Sequence, residues 1–189
     1  MPDDVLENIV LRGARGLAKR PQPGCHEPDA LYRASPEVRK ARLRELLECA
    51  NELLRRAAIA GAVSRPVMQS PSAIKDLLAL HFRMHEAEAF AVIYLNAQHA
   101  VLGIEELFRG TLSQTSVYPR EVVKRALAHN AAAVVLSHNH PSGSPEPSRA
   151  DEFLTQALKS ALGLVDVRVL DHIVVASGRC TSFSERGLL

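Results

Sequence analysis

Residues 131–151 constrain the fold most. Ala131 to Leu136 is an unbroken apolar run and reads as a buried strand. It delivers His138 and His140 into a loop broken by Pro141, Gly143, Pro145 and Pro147, and a helix carrying Asp151 follows from about Arg149 to Leu162. Side chains at i and i+2 of an extended segment point the same way, so the two histidines can reach one ion together, while Asn139 points elsewhere and is spare. Two imidazoles and a carboxylate suit a first-row metal, zinc above all. Three protein ligands leave the fourth tetrahedral place for water, whose pKa zinc lowers towards ~7.

The flanking chain reads as strands mixed with helices. Residues 21–34 are broken by Pro21, Pro23, Gly24 and Pro28, and Leu11–Arg20 is a candidate short basic helix weakened by Gly13 and Gly16. Ser35-Pro36 opens a helix whose apolar face runs from Leu43 to Ala57, with Gly61 as its stop. Arg39, Lys40, Arg42, Arg44, Arg55 and Arg56 lie largely off that face, as a solvated surface. Ser64-Arg65-Pro66 reads as a linker, which divides the chain into a helical region, 1–65, and a second domain, 66–189. Ser70-Pro71 opens a helix to about His85, followed by a buried strand Ala89–Leu95, a turn at Asn96–His99 and a strand Ala100–Phe108, plausibly a hairpin. Gly110–Ser116 is polar loop, and a helix from Tyr118-Pro119 ends at His129-Asn130. Strands Val165–Leu170 and Ile173–Ala176, joined by Asp171-His172, and a short strand from Cys180 to Phe183 complete an α/β sandwich with a partly buried sheet.

Composition excludes several classes. The chain is 47% hydrophobic and 23% charged, which argues against disorder, and no eighteen-residue apolar run predicts a membrane span. The N-terminus lacks the basic-then-apolar order of a secretory signal, so a cytoplasmic protein is expected. Cys25, Cys49 and Cys180 form no C-x-x-C pair and read as reduced thiols. Residues 1–65 hold twelve Lys and Arg against nine Asp and Glu, a weak basis for a nucleic-acid partner.

Hydrolysis also needs a base to move the water's proton to the leaving group. The H-x-E arrangement of zinc deaminases is absent, because position 140 is His. Glu86 and Glu88, just before the strand at Ala89, are the candidates. Ser148, three residues before Asp151, is placed to donate to a developing oxyanion, and equally to cap its helix. Asp171-His172 reads as a hydrogen-bonded pair within the structure rather than a further ligand, with a supporting role behind the ligands as the alternative, and His81, His85, His99 and His129 as isolated surface or capping residues.

The spacing H-x-H, seven residues, S, two residues, D on His138, His140, Ser148 and Asp151 resembles the JAMM motif of the JAB/MPN metalloprotease family. The flanks, EELFRGTLSQTSVYPREVVKRALAHNAAAVVLSHNHPSG and LDHIVVASGRCTSFSERGLL, look like its bacterial RadC branch over roughly residues 67–189. The resemblance implies a cytidine-deaminase-like α/β sandwich with a mixed sheet flanked by helices, preceded by a small helical N-terminal region. It implies one zinc held by His138, His140 and Asp151, with Glu88 as base, matching the family's E-x-hydrophobic pattern at Glu88-Ala89-Phe90, and Ser148 as oxyanion stabiliser. The activity implied is hydrolysis of peptide or isopeptide bonds in a peptide or protein substrate. RadC proteins are commonly labelled DNA-repair proteins, which keeps a repair or recombination accessory with a structural metal as the alternative. The family's helix-hairpin-helix needs a Gly-containing hairpin, and residues 37–60 contain no Gly, so this region departs from the pattern.

Overall fold

The computed structural model describes residues 35–63, 71–110 and 117–189. The readings for 1–34, the linker at 64–66, the Ser70 cap and most of the loop 110–116 lie outside them. The chain divides into two compact units, Met1–Ala57 and Ala58–Leu189. That division falls within the first described helix, α1 (Pro36–Val63).

Helix α1 begins where Ser35 accepts a hydrogen bond from Val38 N at 3.4 Å. It does not stop at Gly61 but continues to Val63, since one interior Gly costs only about 1 kcal/mol. Several of its basic residues are paired within the helix: Arg42 with Glu45, and Arg55 and Arg56 both with Glu52. The Arg55 guanidinium, with Arg56, holds Glu52 down to about 2 against the effect of burial.

In the second unit, α2 (Pro71–Phe82), β1 (Ala89–Leu95), β2 (Val101–Arg109), α3 (Pro119–Ala128), β3 (Ala133–Asn139), α4 (Arg149–Gly163), β4 (Arg168–Ala176) and β5 (Arg179–Ser182) follow in order. The sheet order is β2-β1-β3-β4-β5, with β3 and β4 parallel and every other pair antiparallel. It is the mixed α/β sandwich that the sequence pattern and the resemblance both imply. No helix among the described residues is long and apolar enough to cross a membrane.

The central strands β1 and β3 are buried at every position, which explains their continuous apolar runs. One sheet face, with Ala89, Ala91, Ile93, Ala133 and Val135, packs against Ile74, Leu77, Leu78 and Phe82 of α2. The other, with Phe90, Val92, Tyr94, Val134 and Leu136, packs against Val122 and Ala126 of α3 and Leu158 and Leu162 of α4. The expected hairpin joins β1 to β2. Asn96 makes its turn, its side-chain oxygen accepting from Gln98 N and Ala100 N, both at 2.9 Å, with His99 in the left-handed region at φ 60°.

Three boundaries differ from the sequence reading. Helix α2 ends at Phe82, and His85 lies beyond it, its N–H donating to Phe82 O at 3.0 Å. Strand β3 runs on through His138 to Asn139, held between β1 and β4, so the polar residues Ser137, His138 and Asn139 belong to the sheet. The segment around Asp171-His172 is no break. β4 is continuous, with an irregularity between the pairs Val134↔Val169 and Val135↔Asp171. This shift puts His172 opposite Leu136, on the same face as His138.

Leu158 is fully buried and docks α4 on the sheet. Leu158→Ala should lower unfolding free energy by about 2–5 kcal/mol. Urea denaturation measures it, and a loss below ~1 kcal/mol would contradict this packing role.

Candidate metal centre

His138 comes from the end of β3, His140 from the residue after it, and Asp151 from the first turn of α4. The His140 N–H donates to Val175 O at 2.8 Å, tying the loop start to β4. Gly143 then takes φ +83°, a conformation that favours glycine, and a Cβ there would lie 3.0 Å from Ser177 Oγ. Arg186 grips Glu146 through both guanidinium nitrogens, at 2.5 and 2.9 Å, fixing the far side of the loop.

The loop thereby folds α4 back onto the strand end. Nε2 of His138 lies 3.3 Å from Asp151 Oδ1, and Nε2 of His140 lies 3.5 Å from Oδ2. The two Nε2 atoms are 2.9 Å apart. His138 is buried, and the His140 and Asp151 side chains are only 16% and 13% exposed.

Surrounding hydrogen bonds fix how the rings are protonated. His140 Nδ1 faces the Ser144 carbonyl at 2.9 Å; a carbonyl only accepts, so Nδ1 carries hydrogen and Nε2 is free to ligate. For His138 the argument passes through two more side chains. Thr155 Oγ1 donates its one hydrogen to Asp151 O at 2.6 Å and therefore accepts from His172 Nδ1, also at 2.6 Å. Burial pushes the pKa of His172 well below 6.5, so it is neutral and its Nε2 is an acceptor. His138 Nδ1, 2.9 Å away, must donate to it, which leaves His138 Nε2 as a lone pair. Two lone-pair nitrogens 2.9 Å apart beside a carboxylate repel one another unless a cation lies between them. The donor set therefore fits a divalent metal, and without one a proton must serve. Burial raises Asp151, but in the metal-free site, where a proton takes the cation's place, the imidazoles of His138 and His140 outweigh it and hold the carboxyl far below its ordinary 3.8. In that protonated state Asp151 raises His140 against the effect of burial.

The family model for the RadC-like JAB domain matches residues 68–188. The chain belongs to this family. It is 60% identical over 146 residues to a UPF0758 protein of Leptothrix cholodnii, covering 77% of this chain and 66% of that one. It is 64% identical over 138 residues to a UPF0758 protein of Methylibium petroleiphilum, covering 73% and 62%. A UPF0758 protein of Variovorax paradoxus is 52% identical over 184 residues, covering 97% and 80%. The matches thus span about two thirds or less of the length of the first two relatives.

In this RadC-like domain Ser148 is a cap. Its hydroxyl accepts from Asp151 N at 3.2 Å and donates to Asp151 Oδ2 at 2.7 Å, and Ser148 N donates to the same oxygen at 2.6 Å. Glu88 lies just before β1. Phe90 pairs with His138, the outermost pair between β1 and β3, and Glu88 stands two residues before Phe90. The Glu88 charge contributes to raising His140. Glu86, the other candidate, is exposed. His172 and Thr155 back the ligands from behind. Their signals were Asp171-His172 between apolar runs and a Thr four residues after Asp151. Asp171 itself accepts from His172 N, Ser184 N and Ser182 Oγ, at 2.8, 2.9 and 2.6 Å.

Asn139 is not spare. Its side-chain oxygen accepts from Ala89 N at 2.8 Å, and its amide donates to Ala87 O at 3.1 Å. These two bonds bracket Glu88. A cleft of about 590 Å³ opens beside this strand end, between α2 and the end of β4, lined by residues that include Phe82, His85, Asn139, His140 and Val175.

Asn139→Ala strands the Ala89 N–H in a fully buried residue, at a cost of about 1–3 kcal/mol. Urea unfolding measures this, and an unchanged midpoint would show that the bracket carries no stability. The depressed Asp151 carboxyl contributes stability that is in place above its unfolded value near 3.8 and lost as pH falls. In chelator-treated protein, Asp151→Asn should therefore flatten the decline of stability below pH ~4. An unaltered acid limb would contradict the assignment.

Proposed function

We propose that this RadC-like JAB domain is a zinc-dependent hydrolase of peptide or isopeptide bonds, with His138, His140 and Asp151 as metal ligands and Glu88 as general base. One observation carries the reading. Two imidazole nitrogens and a carboxylate converge in a buried corner, and the charge of a second carboxylate, Glu88, acts on one of those imidazoles. When bound, zinc supplies Lewis acidity that makes a coordinated water easier to deprotonate.

The remaining work belongs to the chain. Asp151 and the two Nε2 lone pairs form one face of the site, and the hydrogen bond from His138 to neutral His172 keeps that ring from turning. Glu88 takes a proton from the attacking water as the new C–O bond forms. It then delivers that proton to the departing nitrogen as the C–N bond breaks. Asn139, holding Ala87 and Ala89, fixes where the Glu88 backbone stands. Ser148 has one hydroxyl hydrogen, shared with Asp151 Oδ2. With a cation held by His138, His140 and Asp151, that hydrogen would be the one available to a developing oxyanion. The substrate is a peptide or protein, and the cleft beside His140 offers it an approach.

The test is cleavage of a fluorogenic peptide library by the zinc-loaded full chain, with zinc content measured in parallel. Glu88→Gln should retain zinc and lose activity by roughly 10²–10⁴-fold, whereas Asp151→Ala should lose both. Full turnover in Glu88→Gln would remove Glu88 as base. A chain that cleaves equally well after chelation would remove the metal mechanism.

A further inference from the structure

A second convergence of metal-ligating side chains lies on the opposite face of the sheet. His81 is in the last turn of α2, and His85 is on the turn that leaves it. Glu106 is on β2, in register with Ala91, whose face packs against α2. One ligand atom from each of His81, His85 and Glu106 lies within 4.8 Å of the others, the same criterion that His138, His140 and Asp151 satisfy. We propose that His81, His85 and Glu106 form a second site for a first-row divalent cation such as zinc, separate from the centre at His138.

The cluster brings together more donor groups than one ion pair uses. Arg109 Nε donates to Glu106 Oε1 at 2.9 Å, which engages one carboxylate oxygen and directs the other inward. That inner oxygen, Oε2, shares a hydrogen bond with His85 Nε2 at 2.6 Å, which a cation would replace, and lies 3.9 Å from His81 Nε2. A simple pair needs only one imidazole, yet two approach the same oxygen, with ring centroids 5.6 Å apart. The side chains are shielded, at 9%, 16% and 21% exposure for His81, His85 and Glu106, but not sealed. His85 lines the cleft of about 590 Å³ that also reaches His140, so an ion has a path in. Two imidazoles and one carboxylate form a borderline nitrogen–oxygen set, the chemistry that selects zinc and its neighbours over calcium or magnesium.

The position gives the site a consequence. Residues 83–88 connect α2 to β1 and carry both His85 and Glu88. A cation bridging α2, this connection and β2 would stiffen the segment from which Glu88 is presented, while Asn139 holds its far end. That segment would then be held by metal at one end and by the Asn139 hydrogen bonds at the other.

Zinc binding to the full chain, followed by isothermal titration in chelator-cleared buffer, tests this. Asp151→Ala removes the first centre and should retain about one equivalent of zinc, with a thermal midpoint that rises on zinc addition. Adding His81→Ala to that variant should abolish both effects. No zinc equivalent in Asp151→Ala, or one that survives the added His81→Ala, overturns the proposal. Crystals of the wild type soaked in zinc give a readout that needs no variant. An anomalous peak between His85 and Glu106 supports the site, and its absence beside a peak at His138 overturns it. A peak at His85 with none at His138 would instead refute the hydrolase reading and keep this one.

Discussion

The antiparallel pairing of β1 with β3 is the interaction on which the rest depends. Both strands are buried on both faces, so a slip of one residue would turn every side chain to the wrong layer. With Phe90 held opposite His138, the ligand strand and the strand that follows Glu88 are locked at one relative height. The parallel neighbour β4 then supplies His172 behind His138, and α4, fastened by Leu158 and Leu162, supplies Asp151 in front. Apolar packing sets the coordinates of a polar site that contributes little packing of its own.

The site's electrostatics follow from where that pairing ends. At the rim of the core, burial penalises charge, and each polar group there has a partner that restricts what it can do. Thr155 constrains His172, His172 constrains His138, and Ser144 constrains His140. The result is two nitrogens whose only open valence points at the same place as the Asp151 carboxylate. A site that keeps such mutually repulsive acceptors together would be more stable with a cation than without, and metal affinity and local stability would then be coupled.

Much of this was legible in the chain. Continuous apolar runs marked β1 and β3, alternation of two placed His138 and His140 on one side, and the Pro-Gly-rich loop gave α4 a route back. The sequence pattern misjudged residues whose role depends on neighbours distant in the chain. Asn139 appeared idle because its partners are at 87 and 89, fifty residues away on another strand. Asp171-His172 looked like a break because two polar residues interrupt an apolar run, whereas a shift in register lets one strand absorb them. His81 and His85 looked isolated because Glu106 meets them only through the hairpin, and α2 was read one turn too long because nothing in HFRMH signals an end. In each case local pattern lost to tertiary pairing.

The central claim is that imidazole from the end of β3, with Asp151, binds metal. X-ray absorption at the zinc edge on the loaded full chain tests it directly when repeated on His138→Ala. Nitrogen and oxygen scatterers at about 2.0–2.1 Å with imidazole features, diminished in the variant, are predicted. A shell of sulfur at about 2.3 Å, or a spectrum that the substitution leaves unchanged, would contradict the account.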